Sequence, residues 1–315
     1  VKGSINVKVL FSVVPTGKPK KEGVLASSIK AFIVAPIIFL IVIAAIFIYS
    51  GIWPPMVVVE SKSMQHSDDT SYIGVIDTGD IVVVKKVNGF DEVTTYIEGL
   101  ADGHSTYGEP GDVIIYYRDG MPKPIIHRAI VMLEYNSTGG GFDVPTLANV
   151  PSETWSVPGG EKVWWNLKDT LVLHDIGYAG ARMDIDLSSM LSYMMSTGDP
   201  HGGLITLGDN NWEVVNGTPV ARYDQRWLSS MREPVSDDWI VGKARGELPW
   251  FGLLKLWVTG NLPDDAPANS QRNLVISIGV LILIPIIVDV GSSIMQRRGI
   301  ELSLSDWMRN LRGKK

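Results

Sequence analysis

The chain has no cysteine, which excludes disulfide frameworks, thiol nucleophiles and cysteine-ligated zinc. Any nucleophile is therefore a serine, a threonine or a carboxylate. Charge is sparse too: 20% of residues are charged against 45% apolar, a balance that excludes a disordered or collagen-like chain. The net charge of −6 argues against a nucleic-acid footprint over the whole chain.

The most informative absence lies between Ala31 and Val59, where there is no Asp, Glu, Lys, Arg or His. The run over residues 31–53 exceeds the roughly 20 apolar residues needed to cross a bilayer, and it is expected to span. It begins too late and runs too long for the short apolar core of a cleaved signal peptide, and Trp53-Pro54-Pro55 follows where a small-residue cleavage site would stand. A second run, residues 273–295, is long enough to span although it carries Pro285 and Asp289; a buried core helix is the alternative. Asp289 is expected near the cytoplasmic end, within reach of Arg297 or the headgroups.

What charge there is segregates. Residues 1–30 carry +5 and residues 296–315 carry +4, which with Asp289 leaves −14 for the rest. Lys and Arg beside membrane helices stay on the cytoplasmic side, so both basic tails are expected there. An acidic domain, residues 54–259, is expected outside, joined by a linker over 260–272 to the second run. Trp53 and the cluster Trp250, Phe251 and Trp257 flank the two runs, where amphipathic rings favour the headgroup zone. An ordinary core position is the alternative, and for Trp250 both stay open.

Within the outer domain, Met56–Glu60 reads as a strand entering a turn, and Gly79-Asp80 and Gly111-Asp112 each read as a turn opening a buried β run. A Gly/Pro-rich hairpin over Arg118–Pro124 leads to a further strand, Ile125–Leu133, and strand signals return at Leu204–Leu207 and Trp239–Gly242. Short runs between turn signals predict a mainly β, antiparallel, sheet-rich domain. Residues 134–203 read as an insertion whose one clear element is a Met-rich helix over Leu187–Met195. Trp212–Arg222, with Asn216-Gly217 at its apex, reads as an insertion that lengthens a loop.

Three segments could carry chemistry. Glu60-Ser61-Lys62-Ser63-Met64 sets two hydroxyls two residues apart, about ten residues past the first apolar run and hence within roughly 33 Å of its end; serine pairs in turns are mostly caps. Ile125-Ile126-His127-Arg128 sets a histidine in a strand, where it is more often a satisfied core or edge residue. Thr206-Leu-Gly-Asp209-Asn-Asn211 delivers an acid from a strand into a turn. His66 with Asp68 and Asp69 could be mistaken for a base or a metal site, but lacks convincing ligand spacing.

Together and in this order, the apolar helix followed by SKSM, TGDIVVVKKV, GDVIIYY with IIHRAI, LITLGDNN, and DDWIVGKARGELPWFGLL resemble type I signal peptidases of the archaeal and endoplasmic-reticulum branch. That branch uses histidine where the bacterial branch uses lysine. The matching pieces cover most of residues 31–257 outside the insertion. The resemblance implies a signal-peptidase-like catalytic domain flanked by two transmembrane helices, with Ser63 as nucleophile and His127 as general base. It also implies Ser61 Oγ and the Ser63 N–H as the oxyanion hole, with no cofactor and no metal. Gln65-His66 stands where the family has proline after the methionine. The acid on His127 is expected to be Asp224, which precedes Gln225, with Asp209 supporting; Asp209 as the orienting acid is the alternative.

The implied function is removal of signal peptides from secreted preproteins at the outer face of the cell membrane. Its partners are those signal peptides and the bilayer, with proximity to a secretion channel and no nucleic acid. Two other readings are a related self-processing serine protease and a non-enzymatic surface β-domain acting as adhesin or scaffold.

Overall fold

The computed structural model describes residues 24–118, 123–227, 231–260 and 265–297. The basic tails outside these bounds, the tip of the expected hairpin at 119–122, residues 261–264 and the side chain of Asp289 lie outside the described residues. The chain divides into two units, Val1–Ile48 and Tyr49–Lys315.

Helix α1 (Val24–Ser50) precedes β1 (Met56–Val58) and β2 (Ile81–Lys85). Next come α2 (Tyr96–Asp102), the short pair β3 (Ser105–Thr106) and β4 (Glu109–Pro110), then β5 (Val113–Tyr116) and the long β6 (Ile125–Asn136). β7 (Gly141–Asp143), β8 (Trp155–Ser156), β9 (Thr170–Ile176), β10 (Ala181–Asp186) and α3 (Leu187–Thr197) follow. The chain continues through β11 (Gly203–Leu207), β12 (Trp212–Val215), β13 (Thr218–Ala221), α4 (Asp224–Trp227), β14 (Ile240–Leu248), α5 (Gly252–Val258) and α6 (Ser270–Arg297).

A seven-stranded antiparallel sheet runs in the order β1-β2-β14-β5-β6-β11, with β7 paired to β6. β-branched residues build it. In β2 the side chains of Val82 and Val84 are fully buried while their neighbours are half-buried, the period of two that a strand imposes. Register shifts in β14 and between β6 and β11 mark bulges, and bulges bend strands, so the sheet curls. Val59, Met64, Ile76, Val82, Val113 and Ala244 form one apolar core against it.

The segment expected as an insertion, residues 134–203, is largely built of strands and one helix. It supplies β7 to β10 and α3, the last capped by Asp186, which accepts from the Ser189 N–H. A five-stranded second sheet runs β12-β13-β10-β9-β8. Its Leu171, Leu173, Met183 and Ile185 pack with Ile130, Leu133 and Ile205 of the first sheet in the largest apolar cluster. The stretch expected only to lengthen a loop, Trp212–Arg222, is the hairpin β12–β13, which joins this sheet by parallel pairing of Arg182 with Val220. Asn216 and Gly217 turn it at φ 52° and 82°, the left-handed pair that a two-residue hairpin demands.

α5 seats Leu253 and Leu256 against Leu274 of α6. α6 begins at Ser270, before the expected Asn273, and the described part of the expected linker is tied down: the Ala268 N–H donates to the Asp68 carbonyl at 3.1 Å and the Ser71 N–H to Asn269 Oδ1 at 2.8 Å. Trp250 belongs to that apolar cluster and its indole donates to Ser71 Oγ at 2.7 Å, so it is a packing residue, whereas Trp257 is 71% exposed. Among the described residues one helix, Ser270–Ile287, is long and apolar enough to cross a membrane, and Pro36–Ser50 of α1 is a shorter apolar stretch.

Candidate active site

Ser63 lies in a single 3₁₀ turn, Lys62–Met64. Met64, 1% exposed, sinks into the core of the first sheet, and the buried Gln65 accepts from the Thr78 N–H at 3.1 Å through Oε1. The turn is thus anchored on its far side while Ser63 stays half-buried. Ser61 precedes the turn in extended conformation and makes no side-chain cap, so a capping role does not account for it. Its Oγ lies 3.3 Å from Ser63 Oγ.

His127 is carried on β6, paired with Ile114 of β5, and is 7% exposed. Its Nε2 lies 2.9 Å from Ser63 Oγ and its Nδ1 2.6 Å from Asp224 Oδ2. Asp224, 1% exposed, opens α4. The same Oδ2 accepts from the Tyr116 hydroxyl and from Thr206 Oγ1, both at 2.7 Å. Gln225 orients Thr206 in turn: its Nε2 donates to Thr206 Oγ1 at 3.1 Å and its Oε1 accepts from the Thr206 N–H at 3.2 Å. Burial, and after it the neighbouring Asp224 carboxylate, raises the Tyr116 phenol well above its usual pKa, so it remains a donor. Tyr116, Thr206 and Gln225 were not singled out for these contacts by the sequence. Their signal is a polar side chain fully buried in or beside an apolar strand, visible only once pairing is known.

Asp209 sits elsewhere. Arg128, next to His127 and 1% exposed, grips it twice, Nε to Oδ1 at 2.8 Å and Nη2 to Oδ2 at 2.7 Å. Arg128 Nη1 meanwhile donates to the Thr106 carbonyl at 3.0 Å and to that of Gly111 at 3.2 Å. Burial alone would raise the Asp209 carboxyl; the Arg128 guanidinium overcomes this and holds it below the usual carboxylate range. His66 Nε2 lies 3.2 Å from Asp209 Oδ2. His66 therefore faces the arginine-bound acid, and among the described residues no three His, Asp or Glu side chains converge to hold a metal ion.

Gly208 explains how these parts fit together. A Cβ there would lie 2.6 Å from the Ser63 carbonyl oxygen and 2.8 Å from His127 Nε2, so any side chain would separate the serine from the imidazole.

A groove of about 910 Å³ opens over Ser61, Ser63 and His127 between Met56–Val59 on one wall and Pro124–Ile126 on the other. Among the described residues, both walls offer strand edges with no paired neighbour. β1 ends the sheet, and residues 125–127 of β6 extend beyond the last β11 pairing, Leu207 with Arg128. A polar cavity of about 650 Å³ against α3, lined by Ser192, Arg226 and Arg232, contains none of these three residues.

No protein-family model and no curated protein matches the chain.

Proposed function

We propose that this chain is a membrane-anchored serine endopeptidase, of the type I signal-peptidase kind, that removes signal peptides from preproteins at the outer face of the cell membrane. One observation carries the reading: Ser63 Oγ, His127 and Asp224 stand in hydrogen-bonded sequence, 2.9 Å and 2.6 Å apart, beneath a groove walled by two strand edges. The serine–imidazole separation lies inside the 4 Å reach beyond which an adhesin or scaffold would be the better reading.

A serine hydroxyl is a weak nucleophile until a base takes its proton. Neutral His127 accepts that proton through Nε2 as Ser63 Oγ attacks the scissile carbonyl, then returns it to the departing amine; such transfers contribute typically ~10²–10⁴-fold. Asp224 accepts the Nδ1–H and stabilises the imidazolium as it forms. The oxyanion takes hydrogen bonds from Ser61 Oγ and the Ser63 N–H, each donor worth ~10²–10³ in rate. Water then hydrolyses the acyl-serine with His127 as base. The preprotein binds as an extended strand between β1 and the start of β6, and the Val57, Val59 and Ile126 side chains leave shallow apolar pockets for small residues before the cut.

In this reading α1 and α6 are the two spans, a topology that the +5 and +4 flanks support with both basic tails on the cytoplasmic side. Trp257 and Val258, 71% and 80% exposed on α5, fit the headgroup zone. The test is cleavage of a secretory preprotein in liposomes: the wild type is expected to release the signal peptide and Ser63→Ala to release none. Turnover retained by Ser63→Ala would remove the serine from the reaction.

A further inference from the structure

The role of residues 134–203 turns on Tyr178, in the turn between β9 and β10. Gly177 anchors that turn, its N–H donating to the hydroxyl of Tyr96 in α2 at 3.1 Å. The Tyr178 hydroxyl donates to Asn210 Oδ1 at 2.8 Å and accepts from Trp212 Nε1 at 3.1 Å. Asn210 then holds the nucleophile turn twice, its backbone N–H donating to the Ser63 carbonyl at 2.8 Å and its Nδ2 to the Lys62 carbonyl at 3.1 Å. The Tyr178 ring also lies 4.4 Å from the His66 ring, three residues past Ser63.

Direction follows from the donor inventory. An indole N–H only donates, so the Tyr178 hydroxyl accepts from Trp212; its one proton goes to Asn210 Oδ1 at 2.8 Å, the nearer of its two acceptors, the Gln65 carbonyl lying at 3.4 Å. A proton on Asn210 Oδ1 fixes which way that amide faces, leaving Nδ2 for Lys62. The chain Trp212 to Tyr178 to Asn210 to Lys62 therefore has one consistent sense, and it ends on the turn that carries Ser63.

The turn needs such a brace. It is one 3₁₀ turn with no side-chain cap, a geometry of weak internal hydrogen bonds, and Ser61 and Lys62 are exposed. His127 is fixed by its strand, whereas Met64 and Gln65 anchor only the far side of the turn, so the serine is the less constrained partner, and a 1 Å misplacement costs on the order of 10² in rate. We propose that Tyr178 is a positioning residue for Ser63, and that the second sheet exists in part to brace the nucleophile turn. This rests on the peptidase reading.

The experiment uses the full chain in liposomes. Tyr178→Phe keeps the ring on His66 and removes the hydroxyl. Its kcat is expected to fall about tenfold with KM within about twofold of the wild type, the cost of one hydrogen bond. In the double variant Tyr178→Phe/Asn210→Ala the loss should be no greater than in Asn210→Ala alone, because the tyrosine acts through the asparagine. Amide hydrogen exchange supplies a readout independent of substrate: the Asn210 N–H should exchange faster in Tyr178→Phe while the β5 and β6 amides stay as in the wild type. A wild-type kcat with unchanged exchange at Asn210, or losses that multiply in the double variant, would overturn the proposal. A wild type that leaves the preprotein uncut would count against the peptidase reading, and the exchange comparison would still decide the brace.

Discussion

His127 and Arg128 are consecutive on β6, so their side chains leave opposite faces of the strand, and each meets a buried aspartate in a different setting. Around Asp224 the donors besides the imidazole are neutral hydroxyls, Tyr116 and Thr206. Around Asp209 the partner is a guanidinium already positive and itself tied to backbone carbonyls. An acid whose charge lacks a fixed cation stabilises an imidazolium as it forms. One whose charge is already matched can only hold structure. On the proposed reading the same residue type serves catalysis on one face of a strand and architecture on the other, decided by what surrounds it.

The largest effect expected from this comparison is Asp224→Asn. The amide offers His127 a poorer acceptor and disturbs its tautomer, so preprotein turnover should fall by ~10³–10⁴ with a melting temperature close to the wild type. Asp209→Asn should do the reverse. It leaves Arg128 buried without its counter-charge, a loss of about 3–5 kcal/mol in stability that a thermal melt in detergent reads directly. If Asp209→Asn melts like the wild type and Asp224→Asn does not, the two roles must be exchanged.

Thr206→Val sharpens the catalytic side. It removes one hydroxyl from Asp224 while conserving shape, and because a hydrogen bond to a charged group is worth ~1.5–3 kcal/mol, turnover should fall by about tenfold or somewhat more. An unchanged rate would show that the Tyr116 donor alone sets the carboxylate.

The smallest effect contrasts Asp209 with carboxylates buried without a cation. Burial pushes Asp80 up to about 7 and Asp77 up to about 6. A raised folded pKa contributes stability that is complete below the unfolded value and is lost as pH rises through about 6 to 7. Asp209 runs the other way, and so does Asp112: burial would raise its carboxyl, but hydrogen bonds from His104, Lys243 and Arg245 hold it below the usual range. Their stability is present above the ordinary carboxylate pKa and lost as pH falls. The melting temperature should therefore be highest at about pH 4, decline by several degrees as pH rises to about 7 and level off above it; a steady rise from about pH 4 to 7 would contradict the assignment.

The proposed reactive groups could be named from the sequence only through the order of the motifs and the resemblance it carries, since taken singly the Ser61–Ser63 pair reads as a cap and His127 as a core or edge residue. The ends of the first-sheet strands were legible locally, since Gly-Asp turns open runs of Val and Ile. The second sheet was not. β8 is two residues long, and β9 and β10 carry polar residues on their half-exposed faces, so only α3 stood out. Asn216-Gly217 did carry a hairpin signal, but the hairpin's pairing with β10 joins Val220 to Arg182, far away in the sequence. Tyr178 had no local signal at all, because its partners Asn210 and Trp212 become neighbours only through the fold.

The central claim, that Ser63, His127 and Asp224 act as one unit, is tested most directly by rates of preprotein cleavage for the wild type, Ser63→Ala, Asp224→Asn and the double variant, measured in liposomes. Residues that act as a unit are non-additive. The double variant is therefore predicted to be no slower than Ser63→Ala alone, at the background rate, while Asp224→Asn retains a small residual turnover. Cleavage persisting in Ser63→Ala, or losses that multiply in the double variant, would contradict the account.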